Sequence, residues 1–182
     1  MTADELVNWL RSHSESVHET ETEMVFTHFT GETSLLVLSP SQKSYLPVNN
    51  PFLSSFYRSF CGASIGNGHI VIMSNIQGGV DVSHGYSILD LSEAKSKVEE
   101  WGMVCDADED VFMQVAGWMF VYSIKSGVNI NTALKKYDRD YQKSRTVGGV
   151  REVLEEWWKI VLEDRAVYGN KSEDQINTEG NQ

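Results

Sequence analysis

Apolar residues recur at helical spacing near both ends of the chain. At the N-terminal end, Thr2 and Glu5 stand three positions apart, as in a capping box, and the apolar positions that follow predict a helix over residues 3–17. At the C-terminal end, apolar residues fall at i, i+3, i+4, i+7, i+8, i+11 and i+12 between Val150 and Leu162, mostly with charged residues between them. This second pattern predicts a long amphipathic helix that buries one apolar stripe.

Two more helices are predicted within the chain. Asn50 can cap a helix and Pro51 suits its first turn, so the broad apolar face that follows predicts a helix that is ended by Gly62. A further helix is predicted to follow a cap at Ser92 and to end near Trp101. Both segments would turn an apolar face towards a core.

Short runs of β-branched and aromatic residues, separated by turn residues, predict strands between the helices. The predicted strands cover residues 24–26, 34–38, 69–73, 111–116 and 118–124, with an edge strand at 137–141. The glycine-rich segment 62–68 and the acidic segment 106–110 are predicted to be loops. Because strands do not alternate regularly with long helices, we expect an α+β fold with a central, mostly antiparallel or mixed sheet and helices packed on it.

The length of 182 residues suits one domain. Hydrophobic residues make up 41% of the chain, which is enough for a packed core. Residues 1–168 are therefore predicted to form a single globular domain that ends with the long amphipathic helix. The remaining segment, 169–182, is polar and is predicted to be a disordered tail.

The chain is acidic, with 26 acidic and 15 basic residues and a formal net charge of −11. This excess repels nucleic-acid phosphates and anionic lipids, and it suits either a basic protein partner or simple solubility. Residues 125–151 differ, with seven basic and two acidic side chains, and they either form a small nucleic-acid patch or pair with the protein's own acids. We expect no nucleic-acid or membrane partner, and a cytoplasmic protein, because no signal-peptide or membrane-span pattern is present.

No arrangement of residues in the sequence predicts a metal site or a cofactor site. Asp106, Asp108 and Asp110 have the spacing that opens a calcium loop. However, Val111 and Gly117 occupy the positions that require glycine and glutamate. The five histidines form no HExxH pair and no cluster with cysteine. The acidic segment is therefore interpreted as a solvated loop or as a contact surface for a basic partner.

The two cysteines, Cys61 and Cys105, are predicted to be free thiols in a reducing compartment. The sequence leaves open whether they lie near each other. A nucleophilic role for Cys61 would need a neighbouring base and an electropositive setting, and the sequence shows neither. Because no other catalytic motif is present, we expect the protein not to be an enzyme.

The order of these signals resembles the SUKH superfamily. Leu46-Pro47 leads into an aromatic-rich helix and a Gly-Asn-Gly turn, followed by the strand at 69–73, a further helix, a strand pair and a final helix. The resemblance covers about residues 1–165 and departs from the family at Cys61, where asparagine or glycine is common. It implies an α+β fold without catalytic residues. Bacterial members are immunity proteins that neutralise toxins, often nucleases, and fungal relatives are regulatory interaction proteins.

The sequence therefore favours a binding protein, and the resemblance implies an immunity protein that occludes the active site of a toxin. The densest acidic stretch, residues 90–110, supplies the candidate partner-binding residues. They are Glu99, Glu100, Asp106, Asp108, Glu109 and Asp110.

One alternative is a small-molecule-binding or enzymatic domain around the Gly62–Gly68 loop and Cys61. Another is a regulatory scaffold module that pairs through Trp157 or Trp158. The oligomeric state stays open.

Overall fold

An antiparallel sheet forms the centre of the protein in the computed structural model, which describes residues 1–40, 45–116, 120–130, 134–140 and 143–176. The helices in these ranges are α1 (Ala3–Ser12), α2 (Pro51–Phe56), α3 (Leu91–Glu100) and α4 (Val150–Ile176). The strands of the main sheet are β1 (Ser14–Glu19), β2 (Glu23–His28), β3 (Thr33–Leu38), β4 (Phe60–Ile65), β5 (Ile70–Ile72), β8 (Glu109–Val115), β9 (Phe120–Lys125), β10 (Leu134–Asp138) and β11 (Lys143–Val147). Two short strands, β6 (Val80–Asp81) and β7 (Ser87–Ile88), form a separate ribbon.

Successive strands of the main sheet pair with each other, in the order β1-β2-β3-β4-β5-β8-β9-β10-β11. Every pairing between these strands is antiparallel. The chain leaves this meander twice: α2 is inserted between β3 and β4, and the β6–β7 ribbon and α3 are inserted between β5 and β8. The single-domain α+β fold, with an antiparallel sheet, packed helices and a long C-terminal helix, is therefore confirmed.

Helices α1, α2 and α4 cover one face of the sheet, which we call the first face. Side chains alternate between the two faces along a strand, and Ile65 and Ile72 of the central strands point to the first face. They belong to the same buried cluster as Leu10 of α1, Leu53 of α2 and Leu154 of α4. This cluster is the main core of the protein.

The opposite, second face of the sheet is covered by the ribbon and by α3. Val80 and Ile88 of the ribbon pack on Leu35, Val37 and Cys61 of β3 and β4, and these residues form a smaller buried cluster. Helix α3 packs against β8. The second face therefore carries two separate covering elements where the first face carries three helices.

The N-terminal helix is shorter than predicted. The capping box is confirmed, because Thr2 Oγ1 accepts a hydrogen bond from Glu5 N at 3.1 Å and the Glu5 carboxylate accepts one from Thr2 N at 2.6 Å. However, α1 ends at Ser12 instead of residue 17, and the exposed edge strand β1 follows. The Ser14 hydroxyl donates to a carbonyl oxygen of the last helical turn at 2.7 Å, and such side-chain hydrogen bonds compete with continuation of a helix.

The second helix is also shorter than predicted, and most of the predicted glycine-rich loop is a strand. Asn50 caps α2 as predicted, with its side-chain oxygen accepting from two backbone N–H groups of the first turn. The helix ends at Phe56, and all six residues of β4 are buried. A strand that is covered on both faces has no polar alternation, which is why its sequence resembled the end of a helix. Gly62 lies inside this strand, where an added Cβ would meet the Ile72 carbonyl oxygen at 3.3 Å.

The other strand predictions agree with the structure except near the C-terminal end of the sheet. Strands β2, β3, β5 and β8 coincide with predicted runs, and β9 begins at Phe120. Residues 118–119 of the predicted run lie outside the described residues. The predicted edge strand at 137–141 is wrong, because Tyr137 lies in the interior strand β10 and β11 forms the edge. The lysines just before Tyr137 suggested an exposed segment, so nothing in the sequence indicated that Tyr137 is buried.

Helix α4 confirms the predicted C-terminal amphipathic helix. Its buried residues are Val150, Val153, Leu154 and Trp157. Trp158 is half-buried, as expected for a neighbour of Trp157 on a helix. The backbone of α4 continues to Ile176 and so overlaps the first part of the predicted tail, 169–182, whose residues 177–182 lie outside the described ranges. No helix in the described part of the chain has both the length and the apolar character of a membrane span.

Trp157 fixes α4 against the turn between β4 and β5. Its indole ring lies on Gly66, where an added Cβ would come within 2.3–2.7 Å of three ring atoms. Gly66 also has a φ of +62°, a left-handed conformation that side chains rarely adopt. The same ring lies 5.5 Å from the His28 ring and 6.2 Å from Trp9, measured between centroids. One side chain thus joins α4 to α1, to β2 and to this turn.

His28 is a fully hydrogen-bonded histidine beneath α4, and only 1% of it is exposed. Gly66 N donates to Ser34 Oγ at 3.0 Å, which leaves the Ser34 hydroxyl hydrogen to be donated to His28 Nε2 at 2.6 Å. His28 Nδ1 then donates to the His13 carbonyl oxygen at 3.0 Å. Burial lowers the pKa of His28 from its ordinary 6.5, although the His13 carbonyl partly opposes this. The ring is therefore neutral at pH 7, with its proton on Nδ1.

We expect Gly66→Ala to destabilise the protein strongly. The added methyl group would overlap the Trp157 ring and would also require a left-handed alanine, so the free energy of unfolding should fall by roughly 3 kcal/mol or more. Gly85→Ala is the matched control, because Gly85 has a φ of +80° with nothing within 4 Å of its Cβ position. The control should lose only about 1 kcal/mol. Urea denaturation measures both variants, and equal losses would contradict the Trp157–Gly66 contact.

We expect the protein to become less stable as the pH falls from about 7.5 to about 5.5. The pKa of His28 is lower in the folded protein than in the unfolded chain, so the unfolded chain binds more protons below pH 6.5. The stabilisation is therefore complete above that pH and is lost below it. His69, whose pKa burial also lowers, acts in the same direction.

The variant His28→Gln should retain only part of this pH dependence in urea denaturation. His18→Gln, at an exposed position on β1, is the control and should retain all of it. An equal pH dependence in His28→Gln and the wild type would show that His28 is not the group that responds.

Candidate functional site

Helix α3 and its connection to β8 carry the residues that the sequence predicted to bind a partner. Four of the six are exposed at the C-terminal end of α3. They are Glu99, Glu100, Asp106 and Asp108, which we call the acidic tip. The other two, Glu109 and Asp110, are the first residues of β8 and are withdrawn from solvent to different degrees.

Capping interactions hold α3 in place at its N-terminal end. The Asp90 carboxylate accepts hydrogen bonds from Glu93 N and from Gly78 N, each at 2.8 Å, and the Glu93 carboxylate accepts one from Asp90 N at 3.1 Å. Burial opposes ionisation of Asp90, but these hydrogen bonds and one from the Ser92 hydroxyl lower its pKa. Asp90, and not Ser92 as predicted, is therefore the cap, and it ties the helix to the ribbon.

The C-terminal end of α3 turns sharply to form the tip. Gly102 adopts a φ of +80°, the left-handed conformation that commonly follows the end of a helix. Met103 returns to the main core with 7% exposure, whereas Val104 is 83% exposed. The tip therefore places an exposed apolar side chain beside its carboxylates.

Two lysines fix the connection between α3 and β8. Lys95 Nζ donates to the carbonyl oxygens of Asp106 at 3.1 Å and Glu109 at 3.3 Å. Lys125 forms an ion pair with the Asp106 carboxylate, and its hydrogen bond lowers the pKa of Asp106. The tip carboxylates without an ion-pair partner in the described part of the chain are Glu99, Glu100 and Asp108.

The prediction that Glu109 lies in an exposed loop is wrong, because Glu109 begins β8 and is 3% exposed. Its carboxylate accepts hydrogen bonds from the Tyr137 hydroxyl, from Lys135 Nζ at 2.9 Å and from Asp106 N at 3.1 Å. Burial opposes ionisation, but these donors hold the pKa of Glu109 below its usual value. Glu109 therefore anchors the connection from inside and is not presented to a partner.

Asp110 is half-buried and does not belong to the exposed tip either. The backbone of Asn49 and Asn50, just before α2, lies near its carboxylate and acts to lower its pKa. Its Oδ2 atom is buried and has no hydrogen-bond partner in the described structure. Burial has the larger effect and raises the pKa of Asp110 overall. Asp110 therefore supports the start of α2.

Neither Cys61 nor Cys105 forms a disulfide in the described structure, and the two lie in different parts of the protein. Cys61 is completely buried in the small cluster under the ribbon. Cys105 is half-buried against the main core, and burial raises the pKa of its thiol. A thiol without access to solvent cannot attack a substrate, so the burial of Cys61 argues against the nucleophile considered as an alternative. In the described ranges, no group of three or more side chains is placed to hold a metal ion.

Three of the seven basic side chains in segment 125–151 form ion pairs within the described part of the protein. These pairs are Lys125 with Asp106, Lys135 with Glu109 and Lys136 with Asp138. Tyr137 is 1% exposed and so cannot stack on a nucleic-acid base. These contacts support the interpretation that the segment neutralises the protein's own acids.

Sequence reasoning missed the residues that hold the tip in position. Tyr137 and Lys135 come from β10, and the cross-strand register that brings Lys125 opposite Glu109 is not visible in a single sequence. Val104 was missed because one valine in a polar connection gives no periodic pattern. One signal was available in the sequence: the acidic stretch 90–110 is followed by the basic segment 125–151, which suggests that the two pair with each other.

Comparison of the chain with protein family models, with curated proteins and with solved structures gives no match.

We expect Glu109→Gln to lower the free energy of unfolding by about 2–3 kcal/mol at neutral pH, because it leaves Lys135 without its buried partner. The folded-state pKa of Glu109 is depressed, so its stabilisation is present above the ordinary pKa of 4.5 and is lost as the pH falls further. The difference between the variant and the wild type should therefore shrink as the pH falls below 4.5. Asp106→Asn, which breaks the exposed pair with Lys125, is the control and should cost much less, because solvent screens an exposed ion pair. Equal losses in both variants at neutral pH would contradict an internal role for Glu109.

Proposed function

We propose that the protein is a non-enzymatic binding domain whose acidic tip docks on a basic protein partner. The observation that carries the proposal is the geometry of the tip. Three carboxylates without ion-pair partners in the described structure and the exposed side chain of Val104 lie within residues 99–108, at the end of α3 and in its connection to β8. The helix and its connection are fixed by Asp90 at one end and by Glu109 at the other.

A rigid acidic surface of this kind acts mainly on the rate of association. Complementary charges steer two proteins together and set their orientation, and the net charge of −11 extends the same attraction over the whole molecule. Because the tip is held in place before binding, little conformational entropy is lost when it docks. Val104 adds apolar area at the centre of the contact, which slows dissociation once water is excluded.

The partner that we propose is a toxin, which makes this chain an immunity protein. Two observations support this choice: the order of elements resembles the SUKH superfamily, and the tip has the charge that a basic, phosphate-binding cleft attracts. Carboxylates that occupy such a cleft exclude the substrate without any chemistry. We place the protein in the cytoplasm, because Cys61 and Cys105 form no disulfide in the described structure.

Co-expression with the products of neighbouring genes tests the proposal. A stable complex should form with a basic toxin domain, and the toxin should lose its activity in that complex. If every neighbouring product fails to form a complex, the immunity function has no support.

We expect the triple variant Glu99→Lys, Glu100→Lys, Asp108→Lys to associate with that partner at least about 10-fold more slowly, with a weaker dependence on salt. The control is Glu15→Lys, Glu19→Lys, Glu155→Lys, which changes the net charge equally at exposed positions on β1 and α4. Surface plasmon resonance at low and physiological salt separates the association rate from the dissociation rate. Equal effects of the two triple variants would show that the total charge matters and the tip does not.

A further inference from the structure

The second face of the sheet carries an open groove between α3 and the β6–β7 ribbon, with a volume of about 400 Å³. Its floor includes Val71 of β5 and Gln114 of β8, which lie directly opposite each other in the sheet. Because side chains alternate along a strand, Val71 lies on the opposite face of β5 from Ile70 and Ile72, and it is half-buried. The groove therefore lies where α3 and the ribbon, which cover neighbouring parts of the second face, leave a gap between them.

One wall of the groove is an aromatic ring that is fixed in place. Tyr86, at the start of β7, donates a hydrogen bond from its hydroxyl to Ser64 Oγ on β4. Ser64 is 2% exposed, whereas Tyr86 is 37% exposed, so the hydroxyl is anchored in the sheet and part of the side chain faces solvent. With Val71 and Leu89, the ring supplies apolar surface inside a polar rim.

The end of the groove is a turn that presents an amide. Asn67 Oδ1 accepts hydrogen bonds from Thr33 N and Thr33 Oγ1, both at 2.9 Å. These donors fix the orientation of the side-chain amide, so its NH₂ group is available as a donor. Gln114 offers a second amide on the floor.

The charge of the groove is opposite to that of the protein. Lys97 of α3 is the one charged side chain that lines it among the described residues, although the chain carries −11 in total. Glu93, one helical turn before Lys97, is held by the capping box, and no carboxylate in the described structure lies within ion-pair distance of Lys97. An exposed cation beside two amides and an apolar floor is an arrangement that suits an anion with an apolar body.

We propose that this groove binds a small organic carboxylate. The carboxylate group pairs with Lys97 and accepts hydrogen bonds from the amides of Asn67 and Gln114, and the apolar body lies on Val71 and against Tyr86. The volume lies within the range of small-molecule sites. The site includes the Asn67-Gly68 turn, so the proposal specifies a binding site for the small-molecule alternative that the sequence left open. The buried Cys61 has no role in it. It does not depend on the acidic tip or on a protein partner.

The test titrates the isolated chain with aliphatic and aromatic carboxylates of about six to twelve non-hydrogen atoms, each paired with its neutral amide, and with inorganic phosphate. Two-dimensional NMR follows the side-chain amides of Asn67 and Gln114 and the methyl groups of Val71. We expect saturable shifts at these three residues with at least one carboxylate, and at least about 10-fold weaker binding of the matching amide.

Lys97→Met should weaken carboxylate binding at least about 10-fold, while Lys159→Met, at an exposed position on α4, should leave it unchanged. Thermal denaturation confirms that both variants are folded. The proposal is overturned if no carboxylate shifts these residues, if acid and amide bind equally, or if Lys97→Met binds as the wild type does. Saturable binding of inorganic phosphate alone would also overturn it, since the apolar surfaces would then have no role.

Discussion

The contact between Trp157 and Gly66 is the constraint on which the rest of the structure depends. An open antiparallel meander has an apolar first face that must be covered, and α4 covers it from the C-terminal end of the domain. The indole ring can approach the β4–β5 turn only because Gly66 has no side chain. The Gly66 backbone N–H also bonds to Ser34, which in turn bonds to the buried His28 under the same helix. Gly66 therefore allows the close packing of α4 and also supplies a hydrogen bond to the buried polar groups beneath this helix.

The second face is covered differently, by two small elements that are inserted between β5 and β8. Asp90 joins these elements by accepting hydrogen bonds from both the helix and the ribbon turn. The capping box and the network around Glu109 hold α3 rigid, so its far end projects the acidic tip as a preformed surface. The gap that the two elements leave is the groove. Both proposed binding surfaces thus involve α3, which supplies the acidic tip at its far end and Lys97 of the groove.

Much of the fold was predictable from the sequence, because the amphipathic pattern of α4, the cap at Asn50 and the strand runs are local signals. The errors fall where tertiary contacts override them. Strand β4 was mistaken for a helix end and a loop because a strand that is buried on both faces has no alternation. Glu109 was assigned to an exposed loop because its partners, Tyr137 and Lys135, lie far away in the chain. The exposed part of the candidate site was predictable from charge density alone, and its internal supports were not.

Amide hydrogen exchange of the complex with a basic toxin partner tests the central claim most directly. If the acidic tip is the docking surface, exchange should slow on binding at residues 99–108, with little change on β1 and along α4. Protection confined to β1 or α4, with none between residues 99 and 108, would contradict the account.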